Sequence, residues 1–116
     1  MAAAAAGVLL VEDDASLRLL CRVNLELEGM RVREASHLAA ARSEVESERP
    51  AVVFLDVHLG GESCEPFLEE LTAAGIPVVL ISGSDELDGY RGRVSEVLGK
   101  PFQPAVLVET ARRYVG

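Results

Sequence analysis

Ala51-Val52-Val53-Phe54-Leu55-Asp56 is a run of five apolar residues that ends on one carboxylate. A continuous apolar run of this length suits a strand buried on both faces, and such strands belong to parallel sheets covered by helices. Pro50 stands at its approach and His58-Leu59-Gly60-Gly61-Glu62-Ser63 forms the loop beyond. Working outward, similar runs recur at Val8-Leu9-Leu10-Val11, at Ile76-Pro77-Val78-Val79-Leu80-Ile81 and at Val94-Ser95-Glu96-Val97-Leu98. Met30-Arg31-Val32-Arg33-Glu34-Ala35 reads as a shorter, more polar strand that suits a place near a sheet edge.

Between the strands the periodicity turns helical. Leu17, Leu20, Val23, Leu25 and Leu27 recur near helical spacing with charged residues between them, and Gly29 stands where a C′ glycine ends a helix. Ser36 is an N-cap candidate for a helix through Leu38, Ala41 and Val45. Pro66 fits the first turn of a helix reaching Ala74, which Gly75 breaks. The last helix is expected from Gln103-Pro104 to Tyr114, whereas the stretch from Ser84 to Gly92 carries a weak helical signal. Five βα units in succession predict an α/β fold: a doubly wound parallel sheet with right-handed crossovers and helices on both faces.

At 116 residues the chain suits one domain, expected over residues 7–116 behind an alanine-rich tail at 1–6. The net charge of −8 repels phosphate backbones and argues against direct nucleic-acid binding. Cys21 and Cys64 stand far apart without ligand-type neighbours, and read as a buried apolar residue and a helix-start residue. The N-terminus lacks the basic start and long apolar core of a signal peptide, and no apolar stretch is long enough for a membrane span. A soluble cytoplasmic protein is the expectation.

In open parallel sheets, sites form outside the carboxyl ends of the strands. Here those ends carry Glu12-Asp13-Asp14, Asp56, Ser82-Gly83 and Gly99-Lys100-Pro101. Two carboxylates at about 4–5 Å repel by roughly 3–4 kcal/mol at an effective dielectric near 20, so the cluster needs a proton or a cation. An all-oxygen ligand set with few protein ligands suits Mg2+, which keeps several waters and pairs with phosphoryl groups. Lys100 supplies a second positive charge to phosphoryl oxygens, the Ser82 hydroxyl can donate to another, and Asp56 becomes a nucleophile that forms an aspartyl phosphate.

Leu10-Val11-Glu12-Asp13-Asp14, Phe54-Leu55-Asp56-Val57, Ile81-Ser82-Gly83 and Gly99-Lys100-Pro101-Phe102 resemble, in this order, the signatures of bacterial two-component response-regulator receiver domains, which are CheY-like. The resemblance covers essentially the whole chain after the alanines. It implies a flavodoxin-like (βα)5 sheet with strand order 2-1-3-4-5. It implies that Asp56 takes the phosphoryl group, and that Asp13, Asp56 and the His58 backbone carbonyl ligate Mg2+ (or Mn2+), with Glu12 acting through a metal-bound water. Ser82, Lys100 and the amides near Val57 and Gly83 would hold phosphoryl oxygens, and the Lys100–Pro101 bond would be cis. Asp14 falls outside the acidic pair and is assigned the N-cap of the first helix.

The sequence also departs from that family. Gly60-Gly61 fills a loop where many receivers have a proline, which predicts a more mobile segment. The aromatic expected three positions before Lys100 is Val97, and Tyr90 is out of register with it. Ser82 and Lys100 are 18 positions apart, about one helical turn (~4 residues) less than the family suggests. With Gly89 and Gly92 in the segment, the fourth helix is expected to be short and flexible, becoming ordered on phosphorylation. Asp56-Val57-His58-Leu59-Gly60-Gly61-Glu62 is similar to a segment of a single-domain receiver subgroup with such a shortened helix, although Leu80-Ile81-Ser82-Gly83-Ser84 departs from that subgroup. His58 and Ser84 fall where relatives tune water access.

The resemblance implies a relay in which a histidine kinase or phosphotransfer protein donates to Asp56. No output domain follows Gly116, so signalling through contact with a downstream protein, or onward transfer, is expected, unless the sequence is a piece of a larger kinase or regulator. Two other readings compete. One is a receiver-like binding module that works without phosphate. The other is an aspartyl-phosphate hydrolase, disfavoured because His58 stands where such enzymes often carry a second aspartate and because 116 residues leave no room for a cap domain. No enzymatic turnover of an external substrate is expected.

Overall fold

Side-chain parity along the buried strands builds two cores, one on each face of a single sheet. The computed structural model describes residues 7–83 and 85–115, so the expected tail at 1–6, Ser84 and Gly116 lie outside the described residues. On β1 (Val8–Val11), Leu9 and Val11 enter one core while Val8 and Leu10 enter the other. On β3 (Val52–Asp56), Val53 and Leu55 join the first, and Val52 and Phe54 the second. This is the period-two rule of a strand applied on both faces.

The sheet is completed by β2 (Val32–Ala35), β4 (Val78–Ser82) and β5 (Glu96–Gly99). All pairings are parallel, in the order β2-β1-β3-β4-β5. The expected strand order is therefore observed, with the polar second strand at one edge. Helices α2 (Leu38–Ser47) and α3 (Glu65–Ala73) cover the first core, through Leu38 and Ala41, and through Phe67, Leu68 and Leu71. Helices α1 (Ala15–Leu27) and α4 (Pro104–Arg112) cover the second, through Cys21, Leu25, Leu107 and Ala111.

Several local expectations shift. Ser36 is not the cap of α2; His37 is, its Nδ1 accepting from the Ala40 amide at 3.2 Å. The last strand begins at Glu96 rather than Val94, because Val94 is spent on an isolated bridge to Arg91. The weak fourth helix is a 3-10 helix over Asp85–Tyr90. The loop after Asp56 is a hairpin rather than a loose segment: His58–Leu59 pairs antiparallel with Glu62–Ser63 around a two-residue Gly60-Gly61 turn. Both glycines have positive φ, 54° and 85°, as the mirror-image hairpin turn requires. Leu59, 1% exposed, anchors the hairpin in the first core.

Candidate functional site

Because the strands run parallel, their carboxyl ends share one edge of the sheet, and the loops leaving β1, β3, β4 and β5 converge there. Asp56 is the last residue of β3 and Ser82 the last of β4; Ser82 pairs with Gly99, and its carbonyl accepts from the Lys100 amide at 2.8 Å. That pairing sets Lys100 beside Gly83, where a Cβ built on the glycine would meet the Lys100 Cβ at 3.7 Å. The Lys100–Pro101 peptide is cis. Glu12 follows β1 and is held at both backbone ends: its amide donates to the Ala35 carbonyl, and its carbonyl accepts from the Arg18 guanidinium at 2.7 Å.

The charged groups meet at hydrogen-bond distance. Lys100 Nζ lies 2.8 Å from Asp56 Oδ2 and 2.9 Å from Glu12 Oε1. The first contact is an aligned hydrogen bond; the second is a charge contact that leaves the buried Oε1 without an aligned donor. Asp56 Oδ1 accepts from the His58 amide at 2.9 Å, and Glu12 Oε2 from the Asp14 amide at 3.1 Å. Asp14 caps α1, accepting from the Ser16 and Leu17 amides. Asp13 is exposed, and its Oδ2 accepts from the Gly60 amide at 3.1 Å.

Glu12, Asp13 and Asp56 each place one oxygen within 4.8 Å of the others. Among the described residues, these three carboxylates and the Lys100 ammonium leave two formal negative charges in the cluster. Glu12 is 4% exposed and Asp56 3%. Burial first, then the neighbouring Asp56 carboxyl, raises Glu12 from its ordinary 4.5 to about 7. Burial disfavours the Lys100 ammonium, but Asp56 and Glu12 outweigh it and hold its pKa above the ordinary value. Below about pH 7 a proton on Glu12 relieves part of the acid–acid repulsion; a divalent cation would offset the cluster's charge without it. Around one octahedral ion with bonds of about 2.1 Å, ligand oxygens lie at most about 4.2 Å apart, so a small inward movement of these side chains suffices. The all-oxygen donor set and the orphaned Glu12 Oε1 both fit Mg2+.

The description response regulator receiver domain is that of the family model that matches residues 8–112. The chain belongs to this family. The KDP operon transcriptional regulatory protein KdpE of Escherichia coli (strain K12) is 32% identical to this receiver over 101 residues, covering 83% of this chain and 45% of that protein. The C4-dicarboxylate transport transcriptional regulatory protein DctD of Pseudomonas aeruginosa is 32% identical over 115 residues, covering 91% of this chain and 24% of its own length. The receiver thus spans less than half the length of these curated relatives. Among solved structures, the receiver domain of NtrX from Brucella abortus superposes with a TM-score of 0.83 at 29% identity, covering 92% of this chain and 96% of that one. The chemotaxis protein CheY4 of Vibrio cholerae shares the fold, with a TM-score of 0.82, 24% identity and 95% and 98% coverage.

The site residues read from the sequence come together at one sheet end: Glu12, Asp13, Asp56 and Lys100 by direct contact or short distance, Ser82 and Gly83 by strand register beside Lys100. His58 begins the hairpin with its side chain exposed and its amide given to Asp56. The Val57 amide departs from its expected use, since it donates to the Ile81 carbonyl at 3.0 Å and continues the sheet ladder. Two contributors escaped sequence reasoning. In the sequence Arg18 is one of the charged residues between the apolar positions of α1, and Gly60 reads as a source of looseness. An open groove between α3 and the Gly92–Ser95 turn is lined by Ile76, Pro77 and Val78 at the opposite end of β4, so it carries none of this chemistry.

Proposed function

We propose that this receiver is a phosphoacceptor of a two-component relay, taking a phosphoryl group from phosphohistidine onto Asp56. The observation that carries the reading is the contact of the Lys100 ammonium with Asp56 at 2.8 Å while Glu12 and Asp13 supply oxygens within 4.8 Å. An Asp56 carboxylate oxygen attacks phosphorus, a P–O bond forms as the P–N bond to the donor imidazole breaks, and the imidazole nitrogen regains a proton. Lys100 neutralises charge on a phosphoryl oxygen, and Ser82, buried at the end of β4, offers a hydroxyl beside it. Glu12, Asp13, Asp56 and the His58 carbonyl would hold Mg2+ (or Mn2+), whose charge offsets that of the phosphoryl oxygens. The donor is a histidine kinase or phosphotransfer protein in the cytoplasm, and the output passes through contact with a downstream protein rather than with nucleic acid. The chain catalyses its own phosphorylation and dephosphorylation and turns over no external substrate.

Incubation with acetyl phosphate and Mg2+ tests this. A mass gain of one phosphoryl group, absent in Asp56→Ala and in excess EDTA, is expected. No gain in the native protein would overturn the reading and favour the second one, a binding module that works without phosphate, which the non-aromatic, half-buried Val97 supports. The 3-10 segment is the expected output surface. A phosphoryl analogue is expected to increase amide protection across residues 84–93, and unchanged protection removes that role.

A further inference from the structure

The two buried carboxylates of the site are held by neighbours that surround them: Glu12 by the Asp14 amide and Lys100, Asp56 by the His58 amide and Lys100. Asp13 is exposed, and burial does not restrict its rotamer. Its hydrogen bond comes from across the site, from Gly60 in the hairpin after β3, 47 residues away in sequence. The donor is well fixed. Leu59 is sunk in the first core and pairs with Glu62, so the intervening turn has no freedom to slide. Positive φ at both glycines aims the turn, and the Gly60 N–H meets Asp13 Oδ2 at 3.1 Å. A proline here would have no N–H to give.

We propose that Gly60 is a positioning residue for Asp13: the hairpin amide sets the carboxylate's orientation and thereby the affinity of the cluster for a divalent cation. The role rests on the reading of the cluster as a cation site. It belongs to the outer-sphere contacts that orient metal ligands, whose removal typically weakens metal binding by 10–100-fold. Because the donor is a backbone amide, the identity of residue 60 matters only through its N–H and its φ. Asn, which tolerates the left-handed region and leads the favoured Asn-Gly turn, keeps both.

Two measurements on the full chain decide it. Amide exchange in EDTA follows the Gly60 N–H without any metal. Its exchange is expected to be slow in the native protein and at least about tenfold faster in Asp13→Ala, in line with loss of a charge-assisted hydrogen bond. Titration calorimetry with Mg2+ then compares the native chain, a semisynthetic chain with an ester in place of the Gly60 amide, and Gly60→Asn. The ester chain is expected to bind about tenfold more weakly, and Gly60→Asn to keep the affinity that the ester loses. Equal Gly60 exchange in native and Asp13→Ala proteins, or native affinity in a folded ester chain, overturns the positioning role alone. Failure of the native chain to bind Mg2+ overturns the cation-site reading and the positioning role with it.

Discussion

At the scale of single residues, Glu12 is the group under most stress. It is buried, one oxygen has no aligned donor, and it titrates at about 7 rather than 4.5. In the unfolded chain it loses its proton near the ordinary value, so between about 4.5 and 7 the folded state binds more protons. Stability from this group is complete below that window and is lost as pH rises through it. Glu48, Glu65 and Glu70 are held below the ordinary range, each first by a hydrogen bond from an arginine, and their contributions are lost only at more acidic pH. In EDTA, thermal unfolding is therefore expected to show Tm declining from pH 5 to pH 8, with Glu12→Gln flattening that decline and Mg2+ reducing it. A Tm that rises over this range in EDTA contradicts the assignment. Little of this was legible in sequence. The acids at strand ends and the need for a counter-charge were visible in Glu12-Asp13, Asp56 and Lys100, because a parallel sheet gathers its strand ends. Which carboxyl takes the proton depends on burial and on the Asp14 amide, neither of which a pattern displays.

At the scale of elements, the strands and all four α-helices declared themselves through apolar runs and helical spacing, Asp14, Gly29, Pro66 and Pro104, whereas the connections did not. Gly60-Gly61 reads in sequence as mobility, since glycine is permissive; the same permissiveness is what a two-residue mirror-image turn demands once Leu59 and Glu62 pair. The 3-10 segment lacks helical periodicity, and among the described side chains its tie to the body of the domain runs through one residue and its neighbours. Tyr90 packs against the first core, Arg93 lies over its ring at 5.0 Å, and Arg93 also pairs with Glu65 at 2.6 Å. Burial, then Cys64 and Glu65, pushes the Tyr90 hydroxyl up to about 12. Tyr90→Phe removes the hydroxyl's hydrogen bonding and is expected to cost about 1 kcal/mol by chemical denaturation; no loss would show that the ring alone latches the segment. The entry to β1 has a sharper constraint. A Cβ on Gly7 would sit 2.4 Å from the Arg31 carbonyl oxygen, which itself accepts from the Val8 amide. Gly7→Ala must push β1 and the approach to β2 apart, at a cost of about 1–3 kcal/mol by the same measurement, and a neutral result would mean that the edge yields freely.

At the scale of the molecule, two cores share one sheet. Phe54, fully buried, fills the core under α1 and α4; Leu55, the next residue, fills the core under α2 and α3. Neither core can come apart while the other keeps the β1–β3–β4 ladder, so the chain is expected to unfold in one transition. Phe54→Ala is expected to cost about 3–5 kcal/mol and Leu55→Ala about 2–5 kcal/mol, a large share of the 5–15 kcal/mol typical of a domain. Both losses should appear in the same single transition followed by any probe. The functional cluster sits on that shared sheet, because Glu12, Asp56 and Lys100 leave the ends of β1, β3 and β5. A cation held by Glu12 and Asp13 after β1 and by Asp56 at the end of β3 needs both ends together, so it binds the folded state and not the unfolded one, and stabilises by mass action. Mg2+ should therefore raise the Tm of the native chain and of Phe54→Ala alike, with a logarithmic dependence on concentration, and leave Asp56→Ala nearly unmoved. Two separate transitions in Phe54→Ala, with Mg2+ shifting only one, would show that the faces fold independently and that the site belongs to one of them.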